Sequence, residues 1–198
     1  MKKNDLVTLN ITGMTAEGSG VGRTDSMAVF VPMTAVGDEV EAVIIKVAKN
    51  DAVGKMLRVI TPSKDRVEPD CAAFKQCGGC ALRHISYEAE LELKRQRVSD
   101  CLKRIGGLDI PVEAVAHGEV SRYRNKAQYP TAPAADGGIA CGFFARHSHR
   151  IVPCADCLLQ PEDFSAVTEA VKTYARECGV SAYDEVSGRG LLRHIYVR

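Results

Sequence analysis

Cys71, Cys77 and Cys80 lie in the run Cys71-Ala-Ala-Phe-Lys-Gln-Cys77-Gly-Gly-Cys80, a C-x5-C-x2-C spacing that gathers three thiols on one short loop. Thiolates are soft ligands, and three of them within ten residues point to a metal centre. Gly78 and Gly79 carry no side chains to hold backbone amides away from the sulfurs, so the loop can wrap tightly and donate hydrogen bonds to them. A thiolate-held centre usually takes four ligands, and the stretch Ile151-Val-Pro-Cys154-Ala-Asp-Cys157 offers two further thiols. A zinc ribbon would pair Cys77 and Cys80 with Cys154 and Cys157 and leave Cys71 unused. An iron-sulfur cluster would use Cys71, Cys77, Cys80 and one of the later pair. Spacing does not choose between them.

A second chemical feature is charge. Between Ser121 and Arg150 stand Arg122, Arg124, Lys126, Arg146 and Arg150 against one acid, Asp136, with His147 and His149 beside them. Tyr123, Tyr129, Phe143 and Phe144 interleave with these cations, the mixture that single-stranded RNA takes for phosphate contact and base stacking. A solvated basic face is the plainer reading of the same residues. His84, just beyond the cysteine loop, is a candidate outer partner of the metal centre or simply a packed histidine. Cys101, Cys141 and Cys178 read as core residues. Gly18, Gly20 and Gly22 superficially match a nucleotide fingerprint, but no strand-helix-strand context surrounds them, so a tight turn between strands is expected. No Ser/His/Asp set has recognisable local context, and no glycine-rich strand-to-helix turn offers a nucleotide or S-adenosylmethionine site.

The elements that must position these residues follow from periodicity. The 198 residues carry a formal net charge of +1 and ordinary charged and apolar fractions, so a globular protein with one or two domains is expected. Met1-Lys2-Lys3 is followed by an alternating segment rather than an apolar run, which argues against a signal peptide or membrane span and for a cytoplasmic protein. In that compartment eight cysteines read as ligands or thiols, not disulfides. Leu6–Ile11, Met27–Val31 and Val40–Val47 are predicted strands of a small all-β unit over residues 1–60, closed as a barrel. Its only aromatic residue is Phe30, so any nucleic-acid contact there would be mostly to backbone. Residues 61–110 hold a polar linker, the cysteine loop and an amphipathic helix with Tyr87, Leu91, Lys94, Val98, Cys101, Leu102 and Ile105 on one side. Ser86 would cap its start and Gly106-Gly107 its end. Residues 111–198 are predicted mixed α and β: strands over Arg122–Thr131, Ile139–Ala145 and His149–Val152, and a helix from Pro161 with Phe164, Val167, Val171, Tyr174 and Cys178 on one face. The last strand, Gly190–Arg198, ends without a turn or cap, as expected of a cut through a larger protein.

These residues together resemble a known family. Val29-Phe-Val-Pro32 with Gly37-Asp38, Pro69-Asp-Cys71, Cys77-Gly-Gly-Cys80-Ala-Leu-Arg-His84, Tyr123-Arg-Asn-Lys-Ala-Gln-Tyr-Pro130, Gly142-Phe-Phe144, His147-Ser-His149, Ile151-Val-Pro, Cys157-Leu-Leu-Gln160 and Gly190-Leu-Leu-Arg193 are similar, in order, to the 23S ribosomal RNA uracil-5-methyltransferases. The resemblance implies an α+β chain: an OB-like, five-stranded TRAM barrel followed by a central RNA-binding domain with a 4Fe-4S cluster, monomeric and binding ribosomal RNA. The family's cluster ligands carry over onto Cys71, Cys77, Cys80 and Cys157. Cys154 stands where the family usually has no cysteine, which leaves an exchange with Cys157 open, and Arg83 stands where glutamine is common. The family's reaction adds a cysteine thiolate to C6 of a uridine, transfers methyl from S-adenosylmethionine to C5, and removes the C5 proton with a carboxylate. That machinery belongs to a Rossmann-like catalytic domain absent from these residues, so no catalytic or S-adenosylmethionine-binding residue is expected here. Two alternatives remain: a non-catalytic RNA-binding module with a structural zinc, and a transfer RNA uracil-5-methyltransferase.

Overall fold

The structure is a computed structural model that describes residues 1–24 and 27–198. Packing divides it into two units, Met1–Pro69 with Ala81–His117, and Asp70–Cys80 with Gly118–Arg198.

In the first unit, β1 (Leu6–Met14), β2 (Ser19–Arg23), β3 (Ala28–Pro32), β4 (Glu39–Val47) and β5 (Asp51–Thr61) close into a barrel of order β1-β2-β3-β5-β4. Closure leaves no strand edge unpaired. Alternation in β1, β3 and β4 sends Leu9, Ile11, Val29, Val31, Val40, Ala42 and Ile44 inward, where Ala52 of β5 joins them. Neighbouring strands are antiparallel except β3 and β5, which run parallel.

The glycine run is not simply a turn. Gly18 does turn the chain, with φ of 83°, but Gly20 and Gly22 lie within β2. A Cβ on Gly20 would collide with Thr34 Oγ1 and come 2.8 Å from Ile11 Cγ2, and one on Gly22 would lie 3.0 Å from Leu9 Cβ. These glycines let the barrel interior close.

The segment after β5 is held rather than free. Asp38, with no exposed surface, accepts hydrogen bonds from the amides of Ala35 (2.7 Å) and Ser63 (2.9 Å) and from Arg66 Nε (3.1 Å). Arg66 also donates to the Met33 carbonyl at 3.1 Å and bridges to Ile85. Burial works to raise the Asp38 carboxyl, but the Arg66 guanidinium and the two amides together hold it below its usual value.

Helix α1 (Tyr87–Arg104) starts at Ser86, whose hydroxyl accepts from the Ala89 amide at 3.3 Å, and its C-cap is Ile105. The expected core face does not form. None of its residues is buried, Val98 and Ile105 are 50% and 85% exposed, and Cys101 is exposed. Its apolar positions are too few and too interleaved with the Glu90–Lys94 and Glu92–Arg95 pairs to make a continuous stripe.

The second unit is an antiparallel sheet of order β8-β7-β6-β9, formed by β6 (Ala127–Pro133), β7 (Ile139–Phe144), β8 (Ile151–Pro153) and β9 (His194–Val197), with helix α2 (Asp163–Glu177). Ala127, Tyr129, Ile195 and Val197 form its core, with Cys141, Phe143, Phe164 and Val171 against them. The buried stripe of α2 is Phe164, Thr168, Val171 and Ala175, rotated from the expected one. Val167 and Tyr174 are therefore exposed, and Cys178, read as core, lies exposed just past the helix end. No helix among the described residues is long and apolar enough to cross a membrane.

Candidate metal centre and nucleic-acid interface

The loop Asp70–Cys80 folds as successive turns. The amides of Phe74 and Cys77 donate to the carbonyls of Cys71 (3.0 Å) and Ala73 (2.8 Å), and Phe74 is buried beneath them. The β7–β8 hairpin grips the loop. Gly78 donates to the Phe144 carbonyl at 2.8 Å and Cys77 bridges to Ala145. A side chain at Gly78 would place its Cβ 2.9 Å from the Phe144 oxygen, which explains glycine there. Gly79 donates its amide to Cys77 Sγ at 3.3 Å, an interaction of the kind that stabilises a thiolate. Arg146 donates to the Cys80 carbonyl and lays its guanidinium 5.9 Å from the Phe74 ring centroid.

The later cysteines follow β8 directly, on a turn held by Arg122. Its guanidinium makes a two-point ion pair with Asp156 (2.6 and 2.7 Å) and donates to the carbonyls of Cys157 (3.3 Å) and Gln160 (3.0 Å). The backbone amides of Arg122 and Arg124 add bonds to Leu158 and Leu159, each of 2.8 Å. The hydrogen bond from Arg122 holds the Asp156 carboxyl below the usual carboxylate range. Gln160 is buried and accepts from the Tyr129 hydroxyl, which ties the turn to the sheet core; burial pushes the Tyr129 phenol up.

Both clamps face one cavity. Cys71, Cys77, Cys80, Cys154 and Cys157 all line it, in a volume of about 50 Å³. That is several times the roughly 10–15 Å³ that admits one water, so the space suits a group larger than a bare ion. Among the described residues no three His, Cys, Asp or Glu side chains are set around one point as a single ion requires. A four-iron cluster makes a different demand, since each cysteine binds its own iron and the thiolates stand apart around the cluster. An all-thiol donor set around a cavity of this kind fits such a cluster. Four thiols are also a donor set that a structural zinc accepts.

The expected basic residues divide into two groups. Arg122 and Arg146 are occupied by the clamps just described. Arg124, Lys126 and Arg150 are exposed, and Lys126 Nζ lies 5.6 Å over the ring of Tyr196. The aromatic residues divide too. Tyr129 and Phe143 belong to the core, with ring centroids 5.1 Å apart, and are not available to stack on bases. Tyr123 is exposed, and Phe144 stacks on His149 at 5.2 Å. Tyr196, 54% exposed on β9, lies outside the Ser121–Arg150 basic stretch, where sequence alone does not associate it with the cations. Its signal was the alternation of His194 and Tyr196 with the buried Ile195 and Val197. His84 is buried in the first unit, with Nε2 3.0 Å from the Thr34 carbonyl, and does not line the cysteine cavity, so it is a packing residue.

Residues 2–57 match the TRAM domain. The chain is 45% identical over 199 residues to a protein of Clostridium tetani described as an uncharacterized RNA methyltransferase, with all of this chain and 43% of the relative covered. It is 41% identical over 200 residues to a similarly described protein of Halalkalibacterium halodurans, again with 43% of the relative covered. Among solved structures it is similar to the Pyrococcus abyssi tRNA (uracil-54, C5)-methyltransferase in complex with S-adenosyl-L-homocysteine, with a TM-score of 0.67 and 26% identity over 96% of this chain and 42% of that one. The chain thus spans a little under half the length of the curated relatives it matches. Residues 2–57 thus match a TRAM domain, and the whole of this chain is similar to part of proteins described as RNA methyltransferases.

Proposed function

We propose that this chain is the RNA-recognition and cluster-bearing part of an S-adenosylmethionine-dependent methyltransferase that forms 5-methyluridine in 23S ribosomal RNA. The observation that carries the reading is the convergence of five cysteines on one cavity, clamped by Arg122 and Arg146, in the unit that also presents Arg124, Lys126 and Arg150. Cys71, Cys77, Cys80 and Cys157 would hold a 4Fe-4S cluster, which supplies a covalent cross-link between the loop and the later turn. The TRAM barrel and the exposed cations contact phosphates, and Tyr196 and Tyr123 offer faces to unstacked bases. Arg122 and Arg146 act on RNA indirectly, by fixing the turns that carry the thiols.

The methylation site, its nucleophilic cysteine and the S-adenosylmethionine site are assigned to the part of the relatives' length that this chain does not span. No residue here is given a catalytic role. We place the protein in the cytoplasm, as a monomer, where its RNA is found. The similarity to a transfer RNA enzyme supports a second reading in which the uridine lies in transfer RNA. Mapping 5-methyluridine by mass spectrometry in 23S and transfer RNA from a strain lacking the gene separates them. Loss of one 23S position is expected. Loss confined to transfer RNA would establish the second reading, and unchanged 5-methyluridine in both would refute the two together.

A further inference from the structure

The cavity holds one thiol more than a four-iron cluster needs. Resting on the cluster reading above, we propose that Cys154 is a second ligand for the iron otherwise held by Cys157, so that either thiol completes the site.

The geometry brings the two to one site. They sit three residues apart on one turn, with Asp156 between them held in the two-point pair with Arg122. Both line the cavity with Cys71, Cys77 and Cys80. Cys154 donates its S–H to the Asp156 carbonyl at 3.4 Å. The three loop cysteines would hold three irons, and one cysteine of this pair would hold the fourth. The other would remain a thiol that does not bind iron. Exchange needs no electron: the entering thiol gives up a proton and binds iron as the leaving thiolate takes up a proton. Charge and iron oxidation state are unchanged. Cys141 is not part of this set, because it packs with the sheet core and does not line the cavity.

Alanine is the substitution of choice, because a serine oxygen can itself bind iron. The chain and its Cys154→Ala, Cys157→Ala, Cys154→Ala/Cys157→Ala and Cys77→Ala variants are purified anaerobically. Iron, acid-labile sulfide, the visible spectrum and the electron paramagnetic resonance of the reduced protein are measured, with circular dichroism for folding. Both late single variants are expected to keep iron and sulfide at the unsubstituted level, Cys157→Ala with a shifted resonance spectrum because its ligand has changed. The double variant and Cys77→Ala, which has no spare thiol on its turn, are expected to lose them. Depletion of Cys157→Ala to the Cys77→Ala level overturns the proposal whether or not the variant stays folded. Depletion of Cys154→Ala overturns it as well, since Cys154 would then be required. An unsubstituted chain without iron and sulfide removes the cluster reading itself, and this proposal with it.

Discussion

Replacing Arg66 by methionine removes the cation from Asp38 while keeping most of the apolar stem that covers it. Asp38 has no exposed surface, and the Arg66 side chain is 21% exposed. The variant leaves a buried carboxylate with only the amides of Ala35 and Ser63, and the Met33 carbonyl loses its donor. Breaking one side of a fully buried pair costs roughly 3–5 kcal/mol; partial access of water to Arg66 lowers the expectation to about 2–4 kcal/mol. At about 1.4 kcal/mol per tenfold, that is a loss of roughly thirty- to a thousandfold in the folded-to-unfolded ratio. Urea unfolding followed by far-ultraviolet circular dichroism reads it as a midpoint lowered by about 1–2 M at a slope near 2 kcal/mol/M. The pH dependence has a definite sign. Because the folded state holds the Asp38 carboxyl below its ordinary value, its contribution is full above the unfolded value of about 4 and is lost as pH falls through the lower folded value. The gap between the two proteins is therefore widest near neutrality and narrows in acid. A gap independent of pH, or within the roughly 0–1 kcal/mol of an exposed ion pair, would refute the reasoning.

The cysteine loop depends on its glycine, so Gly78→Ala, with a Cβ 2.9 Å from the Phe144 oxygen, should lower iron loading while the barrel's circular dichroism persists; unchanged iron would count against the packing argument. Lys126→Gln and Arg150→Gln should each weaken RNA binding and reduce the slope of log K against log salt by about one, read by filter binding across a salt series, whereas an unchanged slope would remove these side chains from the interface. Thiol reactivity should be graded at pH 8: exposed Cys101 and Cys178 should be alkylated first, and Cys141, whose thiol burial pushes up to about 11, after them. Peptide mass spectrometry after timed iodoacetamide treatment checks that order, and early labelling of Cys141 would contradict its placement.

What was legible in the sequence followed from strong local pattern. Leu6–Ile11 alternates, and Met27–Val31 and Val40–Val47 are short runs rich in β-branched residues, because one face of each strand meets the barrel interior. β5 was not read as an element because Lys55 and Arg58 interrupt its apolar residues; its outer half is largely exposed and β4 supplies its register. Helical spacing gave both helices but not what covers them: α1 has no buried residue, and the buried stripe of α2 turned on Thr168 and Ala175, which look neutral in sequence. Arg122 and Arg146 are RNA-binding candidates by charge, and their intramolecular partners are invisible to a charge count. Asp156 lies beyond the basic stretch, and the remaining acceptors are backbone carbonyls of Cys80, Cys157 and Gln160. The five thiols were recognisable by spacing, while their meeting at one cavity needed the β7–β8 hairpin to fold back on the loop.

The claim that this thiol-lined cavity is a four-iron site is tested most directly by anaerobic purification, followed by iron, acid-labile sulfide and zinc analysis with a visible spectrum. About four iron and four sulfide per chain, with broad brown absorption that bleaches in air, is the predicted result. A colourless protein with one zinc and no sulfide would contradict it and make the site a zinc ribbon that leaves Cys71 without a role.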